Sequence, residues 1–117
     1  MKIRSITVFL NPGWPLDKGL IQQAGETAGN ARAQFEAAGY EVQTTRLATI
    51  PFPQLFSGLA FAERVQATQA LEQTALEAGF NYTAIGPARL DHPESYPQIP
   101  EIIAATETIF CSAEIAT

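Results

Sequence analysis

A chain of 117 residues with a net charge of −5 is sized for one α/β domain, residues 1–117, and its 46% hydrophobic content excludes a disordered chain. Its seven basic residues are scattered, which argues against nucleic acid or an anionic membrane as partner. The single Cys111 and single His92 exclude an intrachain disulfide and the usual zinc ligand sets. No apolar run approaches the length of a membrane span, and the short run behind Met1-Lys2-Ile3-Arg4 is no signal peptide, so a reducing cytoplasm is the expected compartment.

The segment from Ile3 to Leu10 is nearly continuous in β-prone residues, as in a parallel strand covered on both faces. A rigid loop follows, Asn11-Pro12-Gly13-Trp14-Pro15-Leu16-Asp17, at a strand-to-helix junction where open α/β proteins place their sites. Asp17 is a good N-cap for a helix starting at about Lys18, and Leu16 with Ile21 can staple its entry. Leu20, Ala24, Ala28, Ala31 and Phe35 predict its buried stripe, and Gly25 and Gly29 beside that stripe would let the helix approach a sheet closely. Gly39 ends this helix, as Gly79 ends the next.

A second strand is predicted over Tyr40–Leu47, with one wet face and therefore an edge position. The two prolines of Ile50-Pro51-Phe52-Pro53-Gln54-Leu55-Phe56 argue against a regular helix or central strand, and its aromatics must pack on the core or on a partner. A helix over 59–78 carries Phe61, Val65, Thr68, Leu71, Ala75 and Ala78 on one face, with Ser57 as its cap. A short strand, Tyr82–Ile85, stops at Gly86-Pro87. A polar loop then leads to a brief helix with Pro100 at its first position, and a last strand starts near Thr108. The order βαβαβαβ predicts a mostly parallel four-stranded sheet. Nothing long follows the last strand, so the expectation is an incomplete piece of a larger, barrel-like α/β fold or half of an assembly.

Ile3-Arg4-Ser5-Ile6-Thr7-Val8-Phe9 resembles the opening strand of the uncharacterised proteins catalogued as domain of unknown function 711. Asn11 to Asp17, Phe35-Glu36-Ala37-Ala38-Gly39-Tyr40-Glu41-Val42-Gln43-Thr44, and Arg46-Leu47-Ala48-Thr49 with Pro51-Phe52-Pro53 extend the likeness over most of the chain. The resemblance implies an α/β barrel-like fold related in shape to glycyl-radical enzymes, of which this chain would be the N-terminal third. It implies no established activity and supplies no catalytic residue or cofactor. The C-terminal glycine segment that glycyl-radical chemistry needs is not in this chain.

Candidate chemistry is confined to a few side chains. There is no GxGxxG or Walker A pattern, and the prolines and Asp17 spoil the first loop as a phosphate cradle. Trp14 could stack on a small-molecule ligand with Asn11 hydrogen-bonding to it; alternatively it caps the core. Arg46, Arg89, Asp91, His92 and Tyr96 are expected just after strands two and three, on the rim shared with the Asn11 loop. There Asp91 and His92 could act as a proton-transfer pair, although a solvated loop histidine explains His92 equally simply. Cys111 is a nucleophile only if a positive environment lowers its pKa; inside an apolar run it is expected to be buried and inert. Two functions fit: a portion of a larger α/β enzyme, partnered by the remainder of a longer chain, or a stand-alone module that forms a homo-oligomer through its open sheet edge and residues 50–56.

Overall fold

β1 (Lys2–Leu10), β2 (Glu41–Thr49), β3 (Tyr82–Ala88) and β4 (Ile109–Ala113) form one sheet in the order β1-β2-β3-β4, and every pairing is parallel. They alternate with α1 (Lys18–Ala37), the short α2 (Phe52–Leu55), α3 (Phe61–Glu77) and α4 (Gln98–Ala105), with a 3-10 turn at Pro93–Ser95. The computed structural model describes residues 1–115; Ala116 and Thr117, on which the expectation about the chain's end bears, lie outside the described residues. The predicted α/β order and parallel sheet are thus observed. No helix among the described residues is long and apolar enough to cross a membrane.

Strand order decides where the helices go. When each strand is added beside the previous one and crossovers are right-handed, all helices fall on the same face of the sheet. One core cluster accordingly joins Ile21, Ala24 and Ala28 of α1, Ala67, Leu71 and Ala75 of α3 and Ile102 of α4 to Leu47, Ile85 and Ile109 of the strands. Ile6, Val8 and Leu10 of β1 pack against it, whereas Phe9, pointing the other way, is 79% exposed. β1 is therefore covered on one face only, contrary to the two-sided burial its composition suggested. The order also has no reversal, so no crevice of the doubly wound kind opens between diverging helices.

The same uncovered face corrects the position of β2. Its polar–apolar alternation predicted an edge strand, yet β2 lies between β1 and β3. Alternation reports one solvated face, which a central strand has when the sheet carries helices on one side.

Helix α1 begins as its sequence predicts: the Asp17 carboxylate accepts from Leu20 N at 3.0 Å. Ala24 and Ala28 of the predicted stripe are buried, but Ile21 replaces Leu20 at its start, and Leu20 and Phe35 are 37% and 42% exposed. Gly39 and Gly79, at φ +95° and +99°, end α1 and α3. Gly25 serves the contact between those two helices rather than contact with the sheet, and Gly29 faces open space.

The proline segment is helical after all. Pro51 caps α2 and Pro53 falls in its first turn, where a missing N–H costs nothing. Phe52 and Phe56 are completely buried, so the core, not a partner, takes these aromatics. The cap of α3 is Ala60 rather than Ser57 and makes no side-chain hydrogen bond. Inside its first turn Arg64, buried, donates to Leu59 O at 3.1 Å and Gln98 Oε1 at 3.4 Å, tying α3 to α4. β3 continues through Gly86-Pro87 with a register irregularity between Ala84 and Pro87. Gly86 sits at φ +73°, and a Cβ there would lie 2.7 Å from Pro51 Cα, so only glycine lets α2 begin this close to β3.

Entry into β4 depends on a carboxylate that sequence inspection passed over. Glu72 of α3 accepts from Thr108 N at 2.6 Å, Thr108 Oγ1 at 2.7 Å and Glu107 N at 2.9 Å. Burial opposes its charge, but these donors outweigh burial and hold the Glu72 pKa below its ordinary 4.5. A depressed folded pKa means stability present above the ordinary value and lost as pH falls through the folded one. Thermal melts of Glu72→Gln should therefore show lower stability at neutral pH and a flatter decline between about pH 5 and 3 than the parent. Parallel curves for the two proteins would exclude this role for Glu72.

Candidate functional site

Because all four strands run the same way, Leu10, Thr49, Ala88 and Ala113 end on one rim. The residues expected there divide into two groups. β1 and β4 are the outer strands, roughly 14 Å apart at three interstrand spacings. Among the described residues no hydrogen bond or ion pair joins the Trp14 loop to the His92 loop.

The first group lies beyond β1. Asn11 Oδ1 accepts from Gly13 N at 3.0 Å, and Asp17 N donates to Pro12 O at 2.9 Å, so the loop's polar groups hold the loop itself. Trp14 packs edge-on against the buried Phe56, centroids 5.6 Å apart at 86°, and is 40% exposed. Its free part lines a cavity of about 280 Å³ with Leu59, Glu63, Gln66 and Ala67, on the helix side of the molecule. Trp14 is thus both a core cap and a cavity wall, and Asn11, exposed, uses its Oδ1 to hold its own turn.

The second group joins the ends of β3 and β4. Arg89 Nε lies 3.2 Å from Asp91 Oδ1 and 3.5 Å from Glu114 Oε1. The backbone between is a compact turn: His92 N donates to Arg89 O at 3.0 Å, and Ser95 Oγ donates to His92 O at 2.6 Å while accepting from Arg89 N at 3.2 Å. Tyr96 Oη donates to Glu114 O, and Glu114 N donates to Ala88 O at 2.9 Å, so the β4 end is tied to the turn from both sides. Burial, reinforced by Glu114 and Asp91, raises the Tyr96 pKa, so its hydroxyl stays a donor.

Asp91 and His92 are neighbours in sequence but not partners. Asp91 turns to Arg89, and His92 Nδ1 lies 3.4 Å from Glu94 Oε1. Nothing in the sequence alone assigns a role to Glu94, Ser95 or Glu114. The only signal in the chain is Arg89-x-Asp91; the Arg89–Glu114 contact arises from β3 and β4 being adjacent.

Arg46 is not on the rim. It lies inside β2, in register with Thr7 of β1 and Tyr82 of β3, on the face without helices. Cys111, half-buried in β4, has its thiol pushed up to about 11 by burial, so it is protonated at neutral pH and a poor nucleophile. No group of three or more His, Cys, Asp or Glu side chains among the described residues is placed to hold a metal ion.

The family model described as Uncharacterised ACR (DUF711) matches residues 1–117. The chain belongs to the DUF711 family. No curated protein matches it. In this DUF711 chain the residues that cluster are Arg89, Asp91, His92, Glu94, Ser95, Tyr96 and Glu114, at the carboxyl ends of β3 and β4.

Proposed function

We propose that the rim formed by the ends of β3 and β4 binds a small polar molecule, and that the chain contributes this rim to an α/β enzyme. The observation that carries the reading is the Arg89 bridge to Asp91 and Glu114, which links two strand ends through side chains that are 35%, 61% and 40% exposed. Such exposed ion pairs add little to stability, median about 0–1 kcal/mol, so a network of them is better suited to holding groups in place at a binding edge. Carboxyl ends of parallel strands are also where singly wound α/β folds keep their chemistry. Within the rim, Asp91, Glu94 and Glu114 offer acceptors, Tyr96 and Arg89 offer donors, and His92 offers an imidazole. The uncovered sheet face, with Phe9 79% and Phe110 49% exposed, keeps a second reading in view: a non-catalytic module that associates through that face.

Titrating polar fragments (amides, alcohols and amines) into the parent and into Arg89→Met tests the rim. Saturable binding by at least one fragment is expected in the parent and should weaken about tenfold or more in the variant, the loss of one charge-assisted hydrogen bond. The melting temperature should change little. Equal binding by both proteins would remove Arg89 from the site.

A further inference from the structure

The helix-free face of the sheet carries one charge at its centre. Arg46 stands in β2 between Thr7 and Tyr82, and Phe110 of β4 lies beyond Tyr82, paired with Ala84. The Tyr82 and Phe110 rings lean together, centroids 5.1 Å apart at 37°, Tyr82 being in register with Arg46 on the neighbouring strand, and Phe110 is 49% exposed. Arg46 Nε is buried and has no hydrogen-bond partner. The carboxylates that form ion pairs in the described residues pair with Arg32, Arg89 and His92; none pairs with Arg46.

A buried donor on a charged group without an acceptor is the exception in folded proteins, and a bound ligand is one of its ordinary explanations. Guanidinium is a planar fork of five donors that matches carboxylate or phosphate geometry. We propose that this face binds a small molecule carrying an oxyanion, carboxylate or phosphate, on a flat apolar body: Arg46 takes the anion, and Tyr82 and Phe110 support the body. Charge selects this occupant. An apolar segment laid on the face would bury the guanidinium unpaired, and a second copy stacked face to face would bury two of them. The proposal goes beyond the rim and does not depend on it, since Arg89 lies roughly 20 Å further along β3 than Tyr82 at about 3.3 Å per residue.

The test observes the Arg46 Nε–Hε resonance in ¹H–¹⁵N spectra, assigned by its loss in Arg46→Lys, while benzoate, phenyl phosphate or inorganic phosphate is added. The expected result is a saturable shift with benzoate or phenyl phosphate, tighter than with inorganic phosphate; which of the two binds better tells carboxylate from phosphate. Arg46→Lys keeps the charge but loses the fork, so affinity read from the Tyr82 and Phe110 ring protons should fall about tenfold or more, with an unchanged melt. Three results would overturn the proposal: no saturable shift with any of the three probes, equal affinity in Arg46→Lys, or movement of the Arg46 signal on raising protein concentration alone, which would assign the face to a second copy.

Discussion

Gly25→Ala should destabilise the protein by at least about 3 kcal/mol, whereas Gly29→Ala, one helical turn later, should stabilise it by up to about 1 kcal/mol. Both glycines weaken α1 as an isolated helix, and helix propensity alone predicts that either alanine helps. Packing separates them. A Cβ on Gly25 would lie 2.2 Å from the carbonyl oxygen of Ala78 and 3.0 Å from its Cβ, whereas one on Gly29 meets nothing within 4 Å. The obstacle at Gly25 is backbone, which cannot rotate aside as a long side chain would, so α1 and the end of α3 would have to separate. That separation would loosen Ile21, Ala24 and Ala75, all buried along the same seam. Denaturant unfolding of the two variants is the check. Similar shifts of the midpoint in the same direction would mean that α1 and α3 do not cross at Gly25.

Phe56→Ala and Phe52→Ala should each cost about 3–5 kcal/mol, a large part of the about 5–15 kcal/mol that holds a domain together. Both rings are completely buried, and each truncation leaves a cavity as well as losing apolar burial. The two differ in what they report. Trp14 is the sole tryptophan and leans on Phe56, not on Phe52. Native-state fluorescence should therefore shift to the red in Phe56→Ala as Trp14 loses its support, and stay near the parent value in Phe52→Ala. The same pair decides against residues 50–56 as an association surface. If Phe52 and Phe56 were partner contacts, their loss would disperse an assembly and leave the monomer's stability untouched.

Much of the architecture was legible because local chemistry and tertiary structure agree. Asp17 caps α1, Gly39 and Gly79 end α1 and α3, and the four β-prone runs are the four strands. Legibility failed where one local pattern has two tertiary causes. Alternation in β2 marks a solvated face, and a solvated face occurs at an edge or in a sheet covered on one side only. Prolines at 51 and 53 forbid the middle of a helix but suit its start, and a four-residue helix is nothing but start. Strand ends are the least certain feature of any sequence, and Arg46 shows the consequence. It was expected on the rim because the predicted strand ended at Leu47, one residue beyond it; β2 runs on to Thr49, which leaves Arg46 within the strand on the open face. At the rim itself the residue list was legible and the pairings were not. Arg89 meets Glu114 because β3 and β4 are neighbours, and His92 turns to Glu94 rather than to Asp91.

The proposed site is the rim where β3 and β4 end. Amide shifts recorded while polar fragments bind to the parent protein test it most directly. The largest shifts are expected on Ala88, Arg89, His92, Ser95 and Glu114; shifts concentrated instead on Trp14, Glu63 and Gln66, on the helix side beside the buried Phe56, would place binding elsewhere.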